Sequence, residues 1–413
     1  MKGKQLVVIL ILLAVVGGAG IFWYNRTTES WKTASGPAGN KKLVDFPIND
    51  IAQVTIKDRG AETNVVRAED GWKVKERHNY PADFEAISSL LRKLWELRPV
   101  QEVEAGPSQF ARLELNMPEQ GTTNSGVLIQ LKDGQGKQVA GMLLGKNYLR
   151  QADVPMAPNG IPAGRYIKPE DGSNRVVLVS DTFSEVEAKP EHWLDRTFFK
   201  IENPKSISLS SPTPDLNWTV ARNAASDGWT LRDSKPGEQF DAAKFSSVTA
   251  SLASPALADV LAADTSAAET GLDQPTTVAV ETFDNFAYTI RFGKPMADKY
   301  PLTVAVTAQL PKERVPASDE KPEDKARLDQ EFQAKQKQLS EKLAAEQKLN
   351  NQIFLVAKTT LDQVAKPRSA LMADKPSPSP APSVSPGTKS PAPAQSPTRN
   401  TRAGRSPAKP KGQ

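Results

Sequence analysis

The chain has 413 residues, 38% hydrophobic and 24% charged, proportions ordinary for folded proteins, and its length points to two folded units with appendages. It contains no cysteine, which excludes disulfides, thiolate catalysis, cysteine-ligated zinc, iron–sulfur clusters and lipoprotein acylation together. The net charge of +5 resides in the tail: Lys375, Lys389, Arg399, Arg402, Arg405, Lys409 and Lys411 face no acid there and leave the preceding chain at net −2, so the body lacks the basic footprint of a nucleic-acid binder.

In chain order, the first predicted element is an apolar segment. Leu6 to Tyr24 reads LVVILILLAVVGGAGIFWY without a charge, and at about 1.5 Å per residue it matches a hydrocarbon core about 30 Å thick. Lys2 and Lys4 precede it, while Arg26, Glu29 and Lys32 follow as a mixture, so the positive-inside bias keeps residues 1–5 in the cytoplasm and exports the rest. The aromatic Phe22, Trp23 and Tyr24 suit an interfacial belt better than a cleavage site, which favours an uncleaved single-pass signal anchor over 6–24. A linker over 25–42 leads to the body.

The body repeats itself. Asp70-Gly71-Trp72-Lys73-Val74 returns as Asp227-Gly228-Trp229-Thr230-Leu231, each after strand-like stretches: Ile51 to Ile56 and Val65-Val66 first, Ile207 to Leu209 and Trp218 to Ala221 second. An amphipathic helix is predicted over Asp83 to Leu97, through Phe84, Ile87, Leu90, Leu91, Leu94 and Trp95. Its counterpart runs from Asp241 to Leu261, through Phe245, Val248, Leu252 and Leu257, and an Asp stands ready to cap each. Leu113 to Pro118 and Gly271 to Pro275 then lead into hairpins, Val127–Leu131 with Gln138–Leu144 and Val278–Thr282 with Tyr288–Phe292, which close on Gly145-Lys146 and Gly293-Lys294. The closing stretches Val176 to Val179 and Ile353 to Val356 each precede a Lys-Pro, at Lys189-Pro190 and Lys366-Pro367.

These patterns predict an α+β fold of two tandem repeats, 43–199 and 200–372, each an antiparallel-strand unit with one main covering helix, preceded by a single transmembrane helix. Copy one carries a Pro/Gly-rich loop at Gln151 to Gly164. Copy two carries a charged helical insertion over 321–350, supported by Glu323–Arg327 and Glu331–Lys335 pairs; Leu328, Phe332, Leu339 and Leu343 fall near one face, and the stretch reads as a solvated helix lying on its own domain rather than a partner-binding arm. Residues 373–413, rich in proline and serine and basic, cannot bury enough apolar surface to offset their ordering entropy and read as a disordered tail.

Site chemistry is sparse in the sequence. His78 and His192 form no HxH, HExxH or HxxxH spacing, no GxSxG elbow is present, and the Gly-Lys pairs lack the frame of a phosphate loop because Asn147 and Pro295 follow the lysines. Acid pairs such as Glu102 with Glu104 and Asp181 with Glu185 do not by themselves place two carboxylates across a cleft. Trp72 and Trp229 are read as covers for small cores, with sugar-stacking platforms as the alternative. No catalytic, cofactor-binding or metal-binding residue is therefore assigned, no cofactor is expected, and no small-molecule substrate is identified.

The apolar segment, the Gly-Trp turn, the helix, the Gly-Leu-x-x-Pro step at Gly271 to Pro275 and the hairpin closing on Gly-Lys together resemble a bacterial family known as domain of unknown function 4340. The resemblance spans residues 1 to about 372, and copy one departs from it with Leu113-Glu114-Leu115-Asn116-Met117-Pro118 in place of the glycine form. Family members are often encoded beside components of an ABC-type transport system related to gliding-motility exporters, which implies an envelope-assembly or transport-accessory role. The resulting expectation is a non-enzymatic, membrane-anchored extracytoplasmic accessory or scaffold at the inner membrane, with an ABC-type permease or other envelope protein as partner. The alternatives are a module binding envelope or cell-wall polymer and a hydrolase using a carboxylate pair.

Overall fold

A computed structural model of the protein describes residues 41–119, 122–150, 160–316 and 320–374. The first sheet contains β1 (Ile51–Lys57), β2 (Glu62–Ala68), β3 (Gly71–Val74), β4 (Tyr80–Pro81), β5 (Gln101–Val103), β6 (Val127–Asp133), β7 (Gln138–Arg150), β8 (Ile161–Pro169) and β9 (Val176–Val179), in the order β4-β3-β2-β1-β6-β7-β8-β9-β5. The second contains β10 (Pro204–Ser210), β11 (Trp218–Ala221), β12 (Thr230–Leu231), β13 (Leu257–Leu261), β14 (Thr276–Thr282), β15 (Phe286–Phe292), β16 (Lys299–Ala308) and β17 (Ile353–Ala357), in the order β12-β11-β10-β14-β15-β16-β17-β13. Strand for strand the second order matches the first from β3 to β5, and even the bulges correspond: β1 slips register between Ile51 and Gln53 against β6, as β10 does between Pro204 and Ser206 against β14.

Side-chain alternation explains which faces are covered. In β15, Phe286, Tyr288, Ile290 and Phe292 are buried while the residues between them are not, the signature of a sheet covered on one face. β7 is buried without a break from Gly141 to Gly145 because both of its faces are covered: Met142 and Leu144 enter the main core, and Leu143 joins Leu113, Leu115, Leu128 and Val176 in a second, smaller cluster. Side chains of both repeats form one main core, in which Tyr80 and Phe198 meet Phe354 at ring separations of 6.3 and 4.9 Å. Arg77 seals the junction between repeats with Nε and Nη2 donating to the two Asp259 carboxylate oxygens at 2.5 and 3.0 Å, and Nη2 also reaches Glu191 at 2.9 Å.

Helices are the minor component. α1 (Phe84–Glu96) buries Ile87, Leu90, Leu91 and Leu94, is capped by the Asp83 side chain accepting from the Ala86 N–H at 3.0 Å, and stops just before Pro99. α2 (Ala242–Ala253) is capped by Asp241 and buries Phe245, Val248 and Leu252. The short α3 (Ala267–Thr270) precedes β14, α4 (Pro322–Gln347) lies between β16 and β17, and α5 (Lys358–Val364) packs beside α2.

The α+β expectation is corrected: the described chain is mostly antiparallel β-sheet in two sheets, with few helices. Several strands escape sequence reading because their residues resemble loops. β8 contains Pro162, Gly164 and Pro169, β16 contains Pro301, and the segment at Leu257 to Leu261, expected to continue a helix, is an edge strand because Ser254-Pro255 ends α2 at Ala253. The transmembrane helix expected ahead of the repeats gains no support: among the described residues no helix is long and apolar enough to cross a membrane, and the segment 6–24 lies outside them. The linker up to residue 40 and the tail from residue 375 also lie outside, as do residues 151–159 of the expected loop.

In α4 the expected ion pairs are redistributed. Arg327 pairs with Asp324 and Glu331 rather than Glu323, and Lys335 leaves the helix to meet Asp284 at 2.7 Å. Lys342 meets Glu202 at 2.6 Å, Leu339 and Leu343 pack against the core, and Glu346 is buried, so the C-terminal half of α4 rests on its own sheet.

Candidate functional site

The two repeats differ most where chemistry with a partner is possible. In the second, β15 turns back into β16 through residues 293–298; in the first, β7 and β8 run on past the sheet. Beyond Leu144, which pairs with Val127 of β6, β7 pairs among the described residues only with β8, through Asn147 to Arg165, Tyr148 to Gly164, Leu149 to Pro162 and Arg150 to Ile161, and β9 joins β8 only from Arg165 inward. The result is a two-stranded ribbon whose two edges pair with no further strand among the described residues. A ribbon of this kind is marginal in water on its own, so its base must hold it.

Three features at the base do so. Gly145 lets the β7 backbone pass against the segment before β6: a Cβ there would sit 2.4 Å from the Leu113 carbonyl oxygen. Arg165 is half-buried and directs Nε to the Gly145 carbonyl at 2.7 Å and Nη1 to the Thr182 and Phe183 carbonyls at 3.1 and 3.2 Å. Burial pushes the Arg165 guanidinium below its ordinary pKa, opposed by the charges of Glu114 and Glu185, and the three carbonyl dipoles provide for the cation. Tyr148 stacks edge-to-face on Tyr166 at 6.3 Å.

The ribbon displays apolar groups to solvent: Tyr148 is 37% exposed, Leu149 42% and Ile161 46%. Lys146 and Arg150 are exposed alongside, and neither Lys146–Arg150 nor Gly160–Lys168 contains an acid. Exposed apolar side chains gathered on one projecting element, next to unpaired backbone edges, are the ingredients of a protein contact surface.

The Gly-Trp turns are architectural at their centres. Trp72 is buried, opposite Arg67 in the β2–β3 pairing. In the second repeat Arg222 occupies the position of Arg67, each following the residue paired with the strand position just past the bulge, and its guanidinium carbon lies 4.6 Å from the centre of the Trp229 ring. Trp229 in turn meets Phe245 edge-on at 5.2 Å. This recurrent arginine escapes sequence reading because it stands five residues before Trp72 but seven before Trp229; only strand register aligns the two.

The remaining sequence candidates are dispersed. His78 is exposed in a left-handed turn, and His192 packs against Trp193 with ring centres 5.3 Å apart. Glu102 pairs with Arg175 at 2.8 Å, while Asp181 and Glu185 share Lys93, whose pKa is raised by its hydrogen bond to Glu185 and by both carboxylate charges. Lys294 donates through Nζ to the Ala268 carbonyl and through its backbone N–H to the Thr270 carbonyl, which makes the second Gly-Lys a strand-end turn; the first lies within β7. Among the described residues no group of three or more His, Cys, Asp or Glu is arranged to hold a metal ion.

A buried carboxylate lies where α4 meets the second sheet. Glu346 accepts from the Lys200 N–H at 2.9 Å and the Tyr288 hydroxyl at 2.8 Å; burial raises its pKa and raises that of the tyrosine as well. Nothing in a Glu-rich helical sequence distinguishes this glutamate, since its burial follows from the tertiary docking of α4.

No curated protein and no solved structure matches the chain. Residues 72–275 match the family model described as Domain of unknown function (DUF4340), a stretch that begins at the first Gly-Trp turn, includes the second, and ends at the proline of Gly271 to Pro275. These residues form a domain of the DUF4340 family.

Proposed function

We propose that this protein is a non-enzymatic accessory or scaffold that works at the extracytoplasmic face of the inner membrane as an auxiliary to an ABC-type transport system. The observation that carries the reading is the ribbon formed by β7 and β8, with exposed Tyr148, Leu149 and Ile161, two edges that no other described strand pairs with, and a base fixed by Arg165. An element braced in this way loses little conformational freedom on binding, the requirement for a docking surface made of few side chains. The extracytoplasmic location is supported by the apolar run from Leu6 to Tyr24 with Lys2 and Lys4 before it, and the transport setting by what the family resemblance implies.

The test is in-cell photocrosslinking of the tagged full-length protein with a photoreactive residue at Leu149 or Ile161, followed by mass spectrometry and by protease accessibility in spheroplasts. Permease or auxiliary exporter subunits captured from the ribbon, with the body cleaved by external protease, are the expected result. Capture of no envelope protein, or a body protected from external protease, refutes the reading.

A further inference from the structure

A cleft of about 400 Å³ opens beside the first Gly-Trp turn, between the β2–β3 hairpin and the start of α1. Its floor is Trp72 and its rim Phe84, an aromatic ring 67% exposed at the first position of α1. Arg67, Glu69, Ser88 and Arg92 supply the polar groups. Arg67 donates through Nη1 to the Asn49 carbonyl at 3.0 Å, and neither Arg67 nor Arg92 has a carboxylate partner among the described residues.

The second repeat provides an internal comparison. There Arg222 stacks on its tryptophan and donates to the Pro204 and Ala225 carbonyls at 2.9 and 2.7 Å, while Ala242 stands where the first repeat has Phe84. The same arginine–tryptophan pair is thus closed upon itself in one repeat and faces a cleft in the other. Architecture alone requires neither the exposed phenylalanine nor a second arginine along the same helical face.

We propose that this cleft binds a carboxylate-bearing saccharide. Two guanidiniums offer planar, charge-assisted donors suited to a carboxylate. The exposed Phe84 ring, with Trp72 beside it in the lining, suits the C–H face of a sugar ring, and Glu69 and Ser88 accept from ring hydroxyls. The cleft volume lies within the range of small-ligand sites. The site does not depend on the transport-accessory reading, since it lies on residues other than the ribbon.

The test is isothermal titration of the full chain with N-acetylmuramic acid and trigalacturonic acid, using N-acetylglucosamine as the neutral counterpart. Binding of at least one acidic saccharide roughly tenfold or more tighter than the neutral sugar is expected. Preference for N-acetylmuramic acid assigns wall glycan as the source, and preference for trigalacturonic acid a uronate polymer. Arg92→Gln, at an exposed side chain, and Phe84→Ala should each weaken binding by about tenfold, whereas Arg222→Gln in the second repeat should leave it unchanged. Equal or absent binding of acidic and neutral sugars overturns the proposal, as does undiminished affinity in an Arg92→Gln variant that melts like the wild type. Crosslinks from the ribbon that persist in a cleft variant without sugar affinity separate failure here from failure of the accessory reading.

Discussion

Gly145→Ala is the most informative single change at the base of the ribbon. The added methyl carbon would lie 2.4 Å from the Leu113 carbonyl oxygen and 2.7 Å from a Leu115 methyl, about 1 Å inside ordinary contact with a backbone atom that cannot rotate away. Relief requires moving β7 off the 107–113 segment, which opens the small cluster around Leu113, Leu128 and Leu143. Overpacking of this kind costs about 1–3 kcal/mol, and backbone-to-backbone contact places it at about 3. For a unit of this size that corresponds to a fall in melting temperature of roughly 6–10 °C. The repeat makes the same demand at Gly293, where a Cβ would lie 2.0 Å from the Thr270 carbonyl oxygen, so Gly293→Ala should behave alike. Gly134→Ala in the β6–β7 turn meets nothing within 4 Å and serves as the control, expected to shift the midpoint by less than about 1–2 °C. Thermal unfolding followed by circular dichroism measures all three, and a Gly145→Ala protein that melts with the Gly134→Ala control would show that close backbone approach is not why glycine stands there.

Three further outcomes follow from particular contacts. Burial raises the Glu346 pKa above its ordinary value in the folded state, so its contribution to stability is fully present below its unfolded pKa near 4.5 and is lost as pH rises through the folded value; Glu346→Gln should flatten the fall in a urea-midpoint profile just above that unfolded pKa, and an unchanged slope would count against a buried titrating carboxylate. Glu238 is held at about 2 by hydrogen bonds from Arg368 and the Lys235 N–H, so its contribution is present above the unfolded value near 4.5 and is lost as pH falls towards 2; Arg368→Met should shrink the loss over that window in acid titrations of stability. Glu114 adopts φ +55° where the second repeat has Gly271 at +74°, so Glu114→Gly should raise stability by up to about 1 kcal/mol, read as a higher denaturation midpoint; a drop would mean that its side chain contributes more than its backbone costs.

The duplicated layout was legible because its signals are local: Asp caps, Asp-Gly-Trp turns and paired hairpins each depend on a few adjacent residues. The sheets' true extent was not. β5 and β13 are short edge strands, and β8 and β16 carry prolines whose missing N–H groups and restricted backbone mimic a loop, so only pairing with β9 and β17 reveals them. The cleft was half legible, since Trp72 stood out as recurrent while Arg67 and Arg92 had no spacing to mark them. The ribbon had no sequence signature, because Lys146 to Arg150, exposed at every position, run on from the Gly-Lys on which the hairpin closes in the sequence and show no alternation to mark a strand. Glu346 and Arg165 illustrate the general reason: a charged residue enters the interior only when distant backbone groups converge on it.

The unequal connections within the two repeats say something about how such a molecule is able to change over generations. β8 joins β9 through six residues, while the matching strands β16 and β17 are joined through 44, with α4 among them. The entropy of closing a loop grows only with the logarithm of its length, about 0.6 kcal/mol for each doubling, so this roughly sevenfold extension costs the sheet about 2 kcal/mol. The order of strands, the bulges and the capping aspartates survive that expense unaltered. A duplicated sheet therefore offers its descendants two sets of hairpin tips on which novelty accumulates separately, a ribbon on one and a helix on the other, while selection on the hydrogen-bonded frame holds both copies to one plan.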